Sequence, residues 1–292
     1  MTRLHWLSAA LGLLLSTTAW ADASPPTPAG SGPYKAVMEV DDTLPTHTVY
    51  HPAALDKLGK NKLPIVAFGN GSCRNDGSAY FNLLAEVASH GFLVIATGPI
   101  GGSATPVPRG TRASTPTQLT EAIDWAVAEN ARPSSKYRGR LDTKAVAVMG
   151  HSCGSMQALE VAGDPRIKTA VILNGGVFDD YINRPGWTID KGSLAHLHEA
   201  MLYLDGGPDD LAYDTAEEDF KLIDGVPLFK GEMGVGHMAT YDQPNAGRFG
   251  QVVSAWLKWQ LKSDPTAKKM FVGADCDLCE DKDWKVTRKN IR

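Results

Sequence analysis

From residue 63 to residue 261 the chain alternates short, unbroken apolar runs with longer stretches whose apolar residues recur at helical spacing. Few folds accept that alternation. The runs 63–68, 92–96, 145–149, 167–173 and 201–204, with a sixth opening at 227–229, are rich in Val, Ile, Leu and Ala. They lack the polar alternation of a sheet wetted on one face, so each reads as a strand buried on both sides. The stretches 78–89, 115–131, 156–162, 217–223 and 247–261 read as helices. The first groups Leu83, Leu84, Val87 and Ala88 and stops at Gly91, a helix-end signal. Together they predict the α/β class: a doubly wound, mostly parallel sheet with helices on both faces. A chain of 292 residues with 43% hydrophobic side chains can bury one large core, and α/β folds of this length are routinely one domain. We expect that domain over residues 34–292, with broken strand material at 37–49 and a polar, mostly irregular tail from Ser263.

Residues 1–21 read as a secretory signal peptide. Arg3 supplies the positive start, residues 7–15 are apolar apart from Ser8, and Ala19-Trp20-Ala21 gives a small-x-small cleavage pattern. The apolar stretch falls short of the ~20 residues a membrane span needs. The mature chain is therefore expected outside the cytoplasm, secreted or periplasmic, with no integral membrane association. Residues 22–33 are rich in Pro, Ser and Gly and read as a flexible lead-in. Lys and Arg total 29 against 33 Asp and Glu, a net charge of −4. That balance argues against a nucleic-acid partner, which calls for a basic face.

Gly150-His151-Ser152-Cys153-Gly154 lies between an apolar run and a helical stretch. In this setting G-x-S-x-G marks a serine on a tight strand-to-helix turn, where a side chain at either glycine would collide with neighbouring backbone. A serine nucleophile needs a base, and the base needs an orienting carboxylate. There are eight histidines. His5 falls in the leader, and His47, His51, His90 and His151 precede the serine. His196 and His198 precede the run 201–204. Only His237 follows the last apolar run, in a Gly-rich loop, and it is the expected base. The pair His196 and His198 has no third ligand nearby in sequence, so neither a metal nor a cofactor is expected. The acid should lie just past residue 204, where Asp205, Asp209 and Asp210 stand. The loop positions suit a reach to the next loop better than Asp205, and spacing does not choose between Asp209 and Asp210. An oxyanion hole needs two backbone N–H donors. Cys153 supplies one, and the loop after the run 63–68 the other, expected at Ser72 with Cys73 as a one-residue alternative.

Several segments then fit one pattern: Gly69-Asn70-Gly71-Ser72-Cys73, Asn75-Asp76-Gly77, Ala88-Ser89-His90-Gly91, the serine pentapeptide, residues 206–213, residues 236–241 and residues 271–276. With these the chain resembles a group of secreted α/β-hydrolases of bacteria and fungi. The group is distantly similar to dienelactone-hydrolase-like and polyester-hydrolase-like serine esterases. The resemblance runs from about residue 63 to the C-terminus and implies the α/β-hydrolase fold. It also implies that the acid is the aspartate before Leu211-Ala212-Tyr213, namely Asp210. Some members of the group have Gln where this chain has His151, a position the motif leaves open. Some have Gly-Gly in place of Met238-Ala239, next to the base.

The four cysteines are Cys73, Cys153, Cys276 and Cys279. An even count in an exported chain points to disulfides. Cys276 and Cys279 read as a local bridge in the tail. Cys73 and Cys153 flank the two oxyanion donors, which must lie close together to bind one oxygen. They are expected as neighbours and as a second bridge, with two buried free thiols as the competing reading. The function expected is cleavage of carboxylic esters, small-molecule or polymeric, through Ser152, His237 and Asp210. Acyl transfer and amide hydrolysis remain alternatives on the same residues, and a non-catalytic binding module is the alternative from another class.

Overall fold

The apolar runs are unbroken because each strand they form is covered on both faces. In the computed structural model, which describes residues 30–102, 114–181 and 186–292, Ile65, Ala67, Val146, Val148, Ala170 and Ile172 face one hydrophobic core. Their neighbours Val66, Phe68, Ala147, Met149, Val171 and Leu173 face another. The expected leader at 1–21 lies outside the described residues.

The strands are β1 (Ala36–Glu39), β2 (His47–Pro52), β3 (Leu63–Gly69), β4 (Leu93–Thr97), β5 (Leu141–His151), β6 (Ile167–Leu173), β7 (Ala200–Asp205), β8 (Leu228–Glu232) and β9 (Lys285–Lys289). The helices are α1 (Phe81–Ser89), α2 (Thr117–Ala131), α3 (Cys153–Val161), α4 (Tyr213–Leu222), α5 (Gly247–Lys262) and the single turns α6 (Pro265–Lys268) and α7 (Asp277–Glu280). Among the described residues the strands form one sheet in the order β1-β2-β4-β3-β5-β6-β7-β8-β9. Strands β3 to β8 run parallel, and β1, β2 and β9 run antiparallel to their neighbours. Helices α2, α3 and α4 cover one face and α1 and α5 the other. This is an α/β-hydrolase sheet.

The broken strand material expected at 37–49 divides into β1 and β2, which pair with each other across the turn that contains Pro45. Two other segments differ from the sequence expectation. The tail is not irregular throughout, because β9 adds to the edge of β8. Its sequence, Lys-Val-Thr-Arg-Lys, has no apolar run to betray it, since an edge strand is favoured by charge that blocks further pairing. The end of the lead-in is held rather than loose. The Ser31 amide donates to Glu86 at 2.6 Å, and the Gly32 amide to Ser89 Oγ at 2.9 Å, both on α1.

Parallel strands deliver their C-terminal loops to one edge of the sheet, where α/β proteins build their sites. The loops after β3, β5, β7 and β8 carry Ser72, Ser152, Asp210 and His237 respectively.

Candidate active site

Ser152 sits between β5 and α3 at φ 52° and ψ −120°, a conformation that side chains rarely adopt. A Cβ on Gly150 would lie 2.0 Å from the Gly154 carbonyl oxygen, and one on Gly154 would lie 2.1 Å from the Gly69 carbonyl oxygen. Both glycines of the motif are thus required by backbone contact, and the second brings the β3 loop against the start of α3. The Ser152 amide is anchored by the Leu173 carbonyl at 2.9 Å.

His237 Nδ1 donates to Asp210 Oδ1 at 2.7 Å. Asp210 also accepts from Asn174 Nδ2 at 2.7 Å, the Gly206 amide at 2.9 Å and the Ala212 amide at 3.0 Å. Burial by itself would raise the carboxyl's pKa. The bonds from His237, Ala212, Gly206 and Asn174 outweigh it and hold the pKa down to about 2. Asp210 is therefore a fixed, charged acceptor that keeps the His237 proton on Nδ1 and leaves Nε2 free to accept. Asp209, one residue earlier, is exposed. Asp205 is buried against Lys230, with Nζ at 3.2 Å, and has no contact with His237.

The Cys73–Cys153 bridge, with Cα atoms 5.2 Å apart, ties the β3 loop to the residue after Ser152. The thiol alternative is thereby excluded, and Cys276–Cys279 is the second bridge. Ser72 and Cys73 both have positive φ, 56° and 47°. The Cys73 amide donates to the Asn70 carbonyl at 3.1 Å. The β3 loop is braced from outside as well: the Ser114 amide donates to the Cys73 carbonyl at 2.9 Å, and Gln157 Nε2 donates to the Ser114 carbonyl at 2.9 Å.

Ser152 opens into a cleft of about 400 Å³ whose apolar walls are Phe178 and Leu211, with Asp179, Asp180, Asp214 and Glu218 at its rim. Trp187, in the segment after Phe178, is buried. A larger groove of about 740 Å³ runs past Pro64 and Lys262, at the opposite end of the sheet from the serine. Among the described residues no cluster of three His, Cys, Asp or Glu side chains is placed to hold a metal ion, and His198 instead meets Glu199 at 3.2 Å.

Four further residues brace this region, and neither spacing nor the resemblance assigns them a role. Asn174 follows β6 with φ 45°, and the Asn174-Gly175-Gly176 turn was the available hint. Tyr241 donates its hydroxyl to Asn174 Oδ1, bracing the residue that braces Asp210. Tyr80 and His151 meet through Oη and Nδ1 at 2.7 Å.

Residues 47–176 match the family model described as PETase, PET hydrolase-like. Over that segment the chain is similar to PET hydrolase-like proteins. The PET hydrolase-like segment contains the β3 loop and the Ser152 turn and ends before Asp210 and His237. Three relatives match over 151 residues, half of this chain. They are Cutinase 1 of Thermobifida cellulosilytica at 31% identity over 52% of its length, the Cutinase of Thermobifida fusca (strain YX) at 31% over 45%, and Cutinase est1 of Thermobifida alba at 32% over 46%. The chain thus spans about half the length of the relatives it matches. The match is to a segment that holds β2 to β6, and the sheet order is that of an α/β-hydrolase.

Proposed function

We propose that this chain hydrolyses carboxylic esters through Ser152, His237 and Asp210. The observation that carries the reading is the 2.7 Å bond from His237 Nδ1 to a four-fold hydrogen-bonded Asp210, at the sheet edge where Ser152 is held at positive φ. The Ser152 hydroxyl proton passes to His237 Nε2 as Oγ bonds to the ester carbon. The carbonyl electron pair moves onto oxygen, where the amides of Ser72 and Cys153 receive it, aided by the N-terminus of α3. The oxyanion then collapses, the C–O bond to the alcohol breaks, and His237 returns the proton to the departing oxygen. Water repeats the sequence on the acyl-enzyme and releases the acid.

The relatives are named cutinases, so a polymeric or small-molecule ester is the substrate class we adopt. The open cleft beside Ser152 suits an extended chain or a small ester alike. We take the chain as exported, with residues 1–21 as its leader, because both disulfides suit an oxidising compartment.

A fluorophosphonate probe tests the reading. The expected result is one adduct, mapped to Ser152 and lost in Ser152→Ala. Absence of an adduct on the folded wild type would favour a binding module that keeps only the fold. A chain-length series of p-nitrophenyl esters then sets the acyl preference.

A further inference from the structure

The motif leaves position 151 open, yet His151 is among the most constrained side chains near the serine. It is 2% exposed. Its Nδ1 lies 2.7 Å from Tyr80 Oη and its Nε2 lies 2.9 Å from the main-chain carbonyl oxygen of His237. The His151 and His237 rings are 4.8 Å apart, and Tyr241 closes the third side edge-on at 5.1 Å.

The polarity of this chain of bonds is fixed. A carbonyl only accepts, so Nε2 must carry the proton. Burial pushes the imidazole pKa down to about 4, so the ring is neutral and Nδ1 accepts. Burial pushes the Tyr80 phenol up to about 12, so Oη keeps its proton and donates it to Nδ1. The Gly71 backbone packs closely against the phenol oxygen. A Cβ on Gly71 would lie 2.4 Å from Oη and 2.6 Å from Nδ1, so the β3 loop rests directly on the Tyr80–His151 bond. The segment before the base is held at Gly236, whose amide shares the Gly206 carbonyl with that of Val235 and whose carbonyl accepts from Asn174 Nδ2 at 3.4 Å, while Gly234 and Val235 are exposed.

We propose that His151 is a positioning residue for the base, a strut that runs from the Gly71 turn through Tyr80 to the carbonyl of His237. Asp210 sets the rotation of the imidazole, and His151 sets where its main chain stands relative to Ser152, the next residue along. This role rests on the triad reading above.

The test compares His151→Leu, His151→Gln and Tyr80→Phe with wild type and Ser152→Ala on one p-nitrophenyl ester, with a melting temperature for each. His151→Leu should lower kcat about 10- to 100-fold with KM within about twofold, the scale of a base displaced by a fraction of an ångström to an ångström. His151→Gln offers one acceptor and one donor, and should recover kcat to within about threefold of wild type. Tyr80→Phe loses a single oxygen and should lower kcat about 3- to 10-fold, which keeps the test decisive if the Leu variant does not fold. Unchanged kcat in a folded His151→Leu or in Tyr80→Phe, equal impairment of Gln and Leu, or an effect confined to KM would overturn the strut while leaving the triad intact. A wild type with no ester turnover, or an active Ser152→Ala, would instead overturn the triad reading and the strut with it.

Discussion

The loop rim that carries Ser152 and the C-terminal tail each carry one disulfide, and the two bridges sit in opposite surroundings. At the rim, Cys73 and Cys153 are 80 positions apart and join two turns that both hold residues at positive φ. In the tail, Cys276 and Cys279 are three positions apart and close a single turn that backbone bonds already close, the Cys279 amide meeting the Cys276 carbonyl at 2.7 Å. The tail is also packed: Phe271 meets Phe229, Trp256 and Trp259, and Trp284 meets Phe249. On the chain-entropy estimate the long bridge is worth about 4.5 kcal/mol and the short one about 2 kcal/mol. A covalent tie matters most where it holds strained backbone at a fixed spacing, and least where apolar burial has already fixed the chain.

The comparison breaks first if the rim is not catalytic. Ser152→Ala should lower kcat on the order of 10⁶-fold, measured by ester turnover on protein with an unchanged melting temperature. Retention of more than about 1% of turnover would remove the rim's special status. Next, Asp210→Asn should cost on the order of 10⁴ in rate by favouring the wrong imidazole tautomer. Asp209→Asn should leave the rate near wild type. Asp205→Asn should act on stability, by about 1–3 kcal/mol, because it strips a partner from the buried Lys230. A severe rate loss in Asp209→Asn would move the acid by one residue.

The pH profile sharpens the same contrast. Asp210 is held down to about 2 and His151 down to about 4, so neither changes charge between pH 5 and 8. Neither should therefore contribute to the kcat/KM profile in that window, and the log plot should nowhere fall there with a slope of two on acidification. Two protons per turnover-limiting step, read from a slope of two in the log plot, would contradict it. For stability the sign is set by the depressed carboxyl. Wild type should hold its advantage over Asp210→Asn above about pH 4 and lose it as pH falls toward 2, followed by urea midpoints.

The bridges themselves come last. Cys73→Ser should lower both the melting temperature and turnover, since it frees the β3 loop from the residue after the serine. Cys279→Ser should cost at most about 2 kcal/mol and leave turnover unchanged. Equal effects from the two would erase the distinction between rim and tail.

Much of the sheet was legible because its signals are local. An apolar run reports burial on both faces, and helical spacing reports one covered face, so β3 to β8 and their helices follow from patterns a few residues long. The glycines at 150 and 154 are likewise a local steric record, written where backbone meets backbone. Strand β9 escaped because an edge strand needs no apolar pattern, only a neighbour, and that neighbour is β8.

By itself the sequence determined the α/β alternation, the strand-to-helix serine, one histidine after the last apolar run, and cysteines even in number. It left Asp209 and Asp210 equal by spacing. Only in the tertiary structure do they differ, because Asp210 is buried and meets His237, 27 positions away, while Asp209 is exposed. The tertiary structure also decided that position 151, open in the motif, is buried against a carbonyl 86 positions away. The physical reason is the same in each case. Sterics and periodicity act between chain neighbours and leave their mark in composition. A hydrogen bond between distant loops exists only once the packed sheet has brought both loops to one edge.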